Sequence, residues 1–160
     1  MNNKTLKIQY EIYDSIEEMS SEDQELIKAA SEAQKTSYAP YSKFNVGAAV
    51  RLDNGKIVKG SNQENAASPS GLCAERTAMF SASAQYPDNA MIALAICGGY
   101  NFEMDDNPCT PCGSCRQVMA EYQTKGGKNM QIIFAGKKQT WKFAKVEDIL
   151  PFIFDSLDVK

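Results

Sequence analysis

The sequence predicts a mixed α/β fold: a single five-stranded sheet covered by helices, with a possible extra strand at the N-terminus. Three observations predict it. Strand-like and helix-like runs alternate along the chain in the order α-β-β-α-β-α-β-β-α, which suits one mixed sheet. The chain has 160 residues, the size of one ordinary domain. Its 43% hydrophobic and 23% charged content fits neither a disordered tail nor a fibre, and no repeat or Pro/Gly-rich linker divides it.

The elements follow in order. Leu6, Ile8, Tyr10 and Ile12 alternate with polar residues, as a half-buried strand does. Ser21 with Gln24 offers a capping box for a helix through Leu26, Ile27, Ala30 and Ala33. Tyr38-Ala39-Pro40 is expected to end it, because the residue before proline is pushed out of the helical region. Residues 44–52 and 56–60 flank Asp53-Asn54-Gly55, a hairpin signal. A polar loop over residues 61–71 leads into a helix from about residue 73 to 85. Residues 91–97 read as a buried strand, and a loop then runs to Pro111. A helix over residues 112–122 precedes a second hairpin, residues 130–135 with 139–143. A short helix over residues 146–150 stops at Pro151. Both longer cysteine-bearing helices begin at their cysteines.

Charge narrows the functions. Seventeen basic residues stand against 20 acidic ones, a net charge of −3. With no basic run there is no footprint for a nucleic-acid backbone. The chain contains no histidine. That excludes a Ser-His-Asp triad, an HExxH zinc site and an imidazole shuttle. Acid–base chemistry near neutral pH is left to a carboxylate, thiol, lysine, tyrosine or metal-bound water.

The five cysteines are Cys73, Cys97, Cys109, Cys112 and Cys115. An odd number, with three crowded into seven residues, makes a poor disulfide framework. The first residues, MNNKTLKIQYEIYD, lack the apolar core of a leader, and the longest apolar run, residues 90–97, is too short to span a bilayer. A reducing, cytoplasmic setting without membrane attachment is therefore expected, where clustered cysteines favour metal over pairing.

Pro111-Cys112-Gly113-Ser114-Cys115 sets two thiols three apart at a helix start. Residues i and i+3 share a helical face, so the sulfurs can reach the roughly 3.8 Å separation of tetrahedral zinc thiolates. Proline suits the first helical turn, and the helix dipole favours thiolates there. Read alone, this CxxC could instead be a redox pair, though the preceding strand pattern of thioredoxin-like folds is missing. Cys109 extends it to CxxCxxC, but an iron–sulfur motif would need a fourth cysteine three residues on. Cys97, in an apolar strand, reads as a buried thiol.

Upstream stands Cys73-Ala74-Glu75-Arg76-Thr77-Ala78. CAERTA followed by PCGSCRQ resembles the zinc-dependent cytidine deaminases in their small, all-cysteine form. The likeness extends through APYSKFNVGAA, the NQENA loop and VEDILP, from about Ser21 to Leu157. It implies layered α/β/α architecture over residues 20–160, with residues 1–19 as an extension serving as edge strand or interface arm. It implies Cys73, Cys112 and Cys115 as Zn²⁺ ligands, with a fourth position open for water. Glu75 matches the proton shuttle in the hydrolytic deamination of free cytidine or deoxycytidine, where zinc-activated water attacks C4. Arg76 matches a donor to the ligand sulfurs, Asn62 and Glu64 match the ribose-binding pair, and Phe44 matches an aromatic that packs on the pyrimidine. The Ala74 N–H matches a donor to the base's O2. Phe154 aligns with a phenylalanine that reaches a neighbouring subunit's site, which implies a homotetramer with shared active sites in pyrimidine salvage.

The match has departures. Gln63 stands where the family usually has isoleucine, Ser68 where it has tyrosine, and Cys109 where it has no cysteine. Rival readings are a deaminase of blasticidin or another small heterocycle, a nucleic-acid-editing deaminase, which the acidic balance opposes, and a closed Cys₄ structural zinc module that would add Cys109 or Cys97.

Overall fold

The computed structural model describes residues 1–155. In chain order these form β1 (Glu11–Tyr13), α1 (Ser21–Gln34), β2 (Phe44–Leu52), β3 (Ile57–Ser61), α2 (Ala74–Gln85), β4 (Met91–Tyr100), α3 (Gly113–Gly126), β5 (Gln131–Phe134) and β6 (Thr140–Phe143). The strands make one sheet in the order β1-β6-β5-β4-β2-β3. Every neighbouring pair is antiparallel except β4 and β5, which run parallel. The mixed α/β architecture and the extra N-terminal strand both stand.

Helix α1 covers one face, where Leu26, Ile27 and Ala30 pack with Ala49, Ala93, Ala95 and Ile133. Helices α2 and α3 cover the other, burying Ala78, Met79, Met119 and Ala120 against Val50, Leu94, Ile96 and Ile132. Two glycines let helices approach closely. A Cβ on Gly47 would lie 2.0 Å from the Ala30 carbonyl oxygen of α1. A Cβ on Gly60 would lie 2.3 Å from the Ala78 nitrogen of α2.

Several boundaries differ from the sequence reading, each for a local reason. Ser20, not Ser21, caps α1: its Oγ accepts from the Asp23 N–H at 3.2 Å. Gln24 reaches backwards instead, donating to the Met19 carbonyl at 2.9 Å. The helix closes at Gln34, well before Pro40, because the Thr36 and Ser37 hydroxyls donate to the Ala33 and Gln34 carbonyls. Strand β1 spans only Glu11–Tyr13, paired with Thr140–Lys142 of a partner that is itself four residues long. Strand β4 extends to Tyr100 because β2 pairs with it along its length, down to Phe44 opposite Tyr100. The expected last helix is a single 3-10 turn, Val146–Asp148.

Candidate active site

Helices α2 and α3 begin at Cys73 and Cys112, both in extended backbone conformation and neither making a side-chain capping bond. Serine or aspartate at such a position would turn back onto its own helix. These thiols turn outward to meet each other. The sulfurs of Cys73, Cys112 and Cys115 all lie within 4.8 Å of one another, and those of Cys112 and Cys115 are 3.6 Å apart. Soft ligands from two helix starts in a three-sulfur cluster suit Zn²⁺, and three protein ligands are the number a catalytic zinc would take. Arg76 Nη2 donates to the Cys73 sulfur at 3.7 Å. A hydrogen bond from Cys115, seconded by Arg76, holds the Cys73 thiol well below its ordinary range. Donating that bond pushes Cys115 the other way.

Glu75 sits in the first turn of α2 and is 4% exposed. Burial pushes its carboxyl above the ordinary range; the charge of Cys73 adds to the rise, and Arg76 opposes it. The carboxyl therefore shares its surroundings with the sulfurs. Helical geometry would send residues two apart to opposite sides. Cys73 escapes that rule because, as N-cap, it lies outside the helical path.

The remaining thiols stay out of the cluster. Cys97 lies on the α1 side of the sheet and donates to Gln34 Oε1 at 3.2 Å. Burial pushes Cys109 up to about 12. A Cβ on Gly98 would meet both the Phe44 ring, at 2.7 Å, and the Cys109 sulfur, at 2.8 Å, so thiol and ring are neighbours there. Among the described residues the metal-binding group has three sulfurs, not the four of a closed module.

A cavity of about 480 Å³ opens beside Cys73 and Arg76 and runs to Asn62, Glu64, Tyr41 and Ser42. Asn62 is fixed in it by strand β2, its Oδ1 accepting from the Val46 N–H at 2.8 Å and its Nδ2 donating to the Phe44 carbonyl at 2.9 Å. One amide N–H and one lone pair remain for a ligand. Glu64 Oε2 accepts from the Tyr41 and Ser42 N–H groups at 2.9 and 3.2 Å. Those bonds, the Ser42 side chain first, hold its carboxyl below the usual range, so it is anionic. Gln63 ties the loop to the turn that follows α1 through the Thr36 carbonyl, and Ser68 lines the cavity.

The structure thus brings Cys73, Arg76, Asn62 and Glu64 to one cavity, with Cys112, Cys115 and Glu75 gathered at Cys73. Phe44 and Ala74 are not among the residues that line it. Phe44 packs edge-on to Tyr100 at 5.2 Å. Ala74 is the first residue of α2, where an N–H has no intrahelical acceptor. Phe154 lies elsewhere, 73% exposed on the C-terminal segment. The sequence reading missed Tyr41 and Ser42, whose backbone holds Glu64 across 22 or more residues with no motif to announce it. It also missed Arg116, which donates to the Pro111 and Ile149 carbonyls at 3.1 Å each. The lone signal there was a basic residue directly after a ligand cysteine.

Comparison with known proteins gives a consistent picture. Residues 20–127 match the model of the cytidine and deoxycytidylate deaminase zinc-binding region. A cytidine deaminase of Halalkalibacterium halodurans is 43% identical over 98 residues, covering 61% of this chain and 70% of that protein. One from Sporosarcina psychrophila is 35% identical over 136 residues, covering 85% and 93%. The crystal structure of cytidine deaminase from Burkholderia pseudomallei superposes with a TM-score of 0.72 at 37% identity, covering 85% of this chain and all (100%) of the other.

Proposed function

Because the chain belongs to the cytidine and deoxycytidylate deaminase family, we propose that it hydrolyses free cytidine and deoxycytidine to uridine and deoxyuridine, releasing ammonia, with Glu75 as the proton carrier. One observation carries this reading: a buried carboxyl shares its surroundings with a three-sulfur zinc site. Cys73, Cys112 and Cys115 would hold the zinc, which would supply Lewis acidity to activate a water.

The chain's own residues do the rest. Glu75 takes a proton from the attacking water and passes it to N3 of the pyrimidine as C4 is attacked. It then carries the second proton to the departing amine, so water is consumed and ammonia leaves. A raised carboxyl acidity constant suits a group that must both accept and return a proton. Arg76 offsets the negative charge of three thiolates, as does the convergence of two helix N-termini. The Ala74 N–H is directed to O2 of the base, and Phe44 flanks the ring. Asn62 and anionic Glu64 together offer donors and acceptors to the ribose hydroxyls. Phe154 of a second copy completes the pocket in a homotetramer, and the enzyme serves pyrimidine salvage in the cytoplasm.

Glu75→Gln tests the central claim. The zinc-loaded variant is expected to keep its metal, measured by atomic absorption, while kcat for cytidine falls by at least about 10²-fold. Loss of absorbance on deamination reports the rate. A variant that keeps wild-type turnover would remove Glu75 from the mechanism. A zinc-loaded wild type inert toward cytidine would point to the structural module or to another heterocycle.

A further inference from the structure

The C-terminal segment after β6 is nearly devoid of regular structure, yet it follows a defined path along α3. Three side chains of that helix supply the path. Gln123, near the helix C-terminus, accepts from the Val146 N–H through Oε1 at 3.0 Å and donates to Glu147 through Nε2 at 2.9 Å. Arg116 donates to the Ile149 carbonyl at 3.1 Å. Gln117 then bonds both backbone groups of one residue: its Nε2 donates to the Phe154 carbonyl at 2.7 Å, and its Oε1 accepts from the Phe154 N–H at 3.3 Å.

A primary amide bonded in both directions to one residue mimics a neighbouring strand, and it fixes that residue's backbone in orientation as well as position. Between Pro151 and Asp155, no other hydrogen bond holds the segment among the described residues. Ile153 packs against the core, whereas Phe154 borders a cavity of about 400 Å³ on the outer side of α3. Packing alone therefore does not decide where the Phe154 ring points. The ring is 73% exposed, and the backbone that Gln117 holds fixes the point from which it projects.

We infer that Gln117 is a positioning residue: by clamping the Phe154 backbone to the helix that carries Cys112 and Cys115, it aims the Phe154 ring at the substrate pocket of a second copy of this chain. The inference rests on the reading of Phe154 given above. Arg116 strengthens the link, because the same guanidinium that holds Ile149 also holds the Pro111 carbonyl, next to Cys112. The ligand-cysteine end of α3 and the Phe154 backbone are thus tied to the same helix.

Gln117→Leu, Phe154→Ala and the double variant, each zinc-loaded and full-length, test it with cytidine kinetics and amide exchange of residues 150–155. Gln117 is half-buried, so the leucine variant is expected to fold. Faster exchange in that segment, with zinc content unchanged, is expected. KM for cytidine should rise about three- to tenfold, with kcat held within about twofold, the scale of two partly exposed hydrogen bonds. The double variant should be no worse than Phe154→Ala alone. Unchanged exchange in Gln117→Leu would overturn the tether. Additive effects in the double variant would overturn the claim that Gln117 acts through Phe154. If Phe154→Ala leaves KM unaltered while exchange in Gln117→Leu quickens, the tether is real but the substrate role of Phe154, and with it the positioning role, fails.

Discussion

On one side of the sheet, α1 begins at Ser20, whose hydroxyl accepts from the Asp23 N–H; on the other, α2 and α3 begin at Cys73 and Cys112, which cap nothing. The same contrast runs through the buried polar groups. Gln34, under α1, is fully buried with its amide used throughout: Nε2 donates to the Asn45 and Glu103 carbonyls, and Oε1 accepts from Cys97. Arg76, on the opposite side, keeps a buried Nε with no partner among the described residues. Buried polar atoms are normally paired, so an orphan marks where the protein's own contacts stop short. Gln34 spends its amide on the fold, whereas Arg76, beside the ligand sulfurs, leaves one guanidinium nitrogen unspent.

The sharpest way to break this contrast is to remove the Arg76 guanidinium, with its orphan Nε. Arg76→Ala is expected to leave the fold intact and lower kcat/KM for cytidine by about 10–100-fold, the scale on which neighbours of metal ligands act. Wild-type kinetics in the zinc-loaded variant would erase the difference between the two sides. Cutting the cap on the other side should do the reverse. Ser20→Ala is expected to cost about 1 kcal/mol in urea unfolding and leave cytidine turnover unchanged. A drop in turnover at constant zinc content would show that α1 takes part in the chemistry.

The smallest effect is invisible at neutral pH. Burial pushes Cys97 up to about 12 from an ordinary 9.0, so the folded state holds its proton more tightly than the unfolded chain. Its contribution is intact below pH 9 and is lost as pH rises through 12. Cys97→Ser keeps a donor for Gln34 but removes this titration. Its urea midpoint should decline less steeply above pH 9 than that of the wild type. Equal slopes would mean that Cys97 does not govern alkaline stability.

Local signals made much of this legible in advance. The i, i+3 cysteines, the absence of histidine and the helix starts at Cys73 and Cys112 were all written in short stretches, and the hairpin around Asn54-Gly55 needed only its own residues. What escaped depended on partners far apart in sequence. Asn62 looked like a free polar loop residue, yet strand β2 takes half of its bonding capacity. Glu64 gave no hint that Tyr41 and Ser42 would hold it. A fully buried glutamine at the end of α1 runs against ordinary burial preferences, and only the three elements meeting there explain it. The convergence of Glu75 with the sulfurs was hidden for another reason: a helical wheel assigns no direction to an N-cap residue.

Strand β1 carries a consequence for how the chain comes together. It joins Glu11 to Lys142, an early stretch of the chain to a late one. The N-terminal strand thereby covers the edge of β6 that would otherwise be bare, on the flank bearing Trp141 and Phe143. Tyr10 stacks on Phe143 at 5.1 Å as that flank closes. The outermost strand that results is three residues long, too short a template for a passing chain to extend. Residues outside the chemistry thus blunt one of the two edges of the sheet.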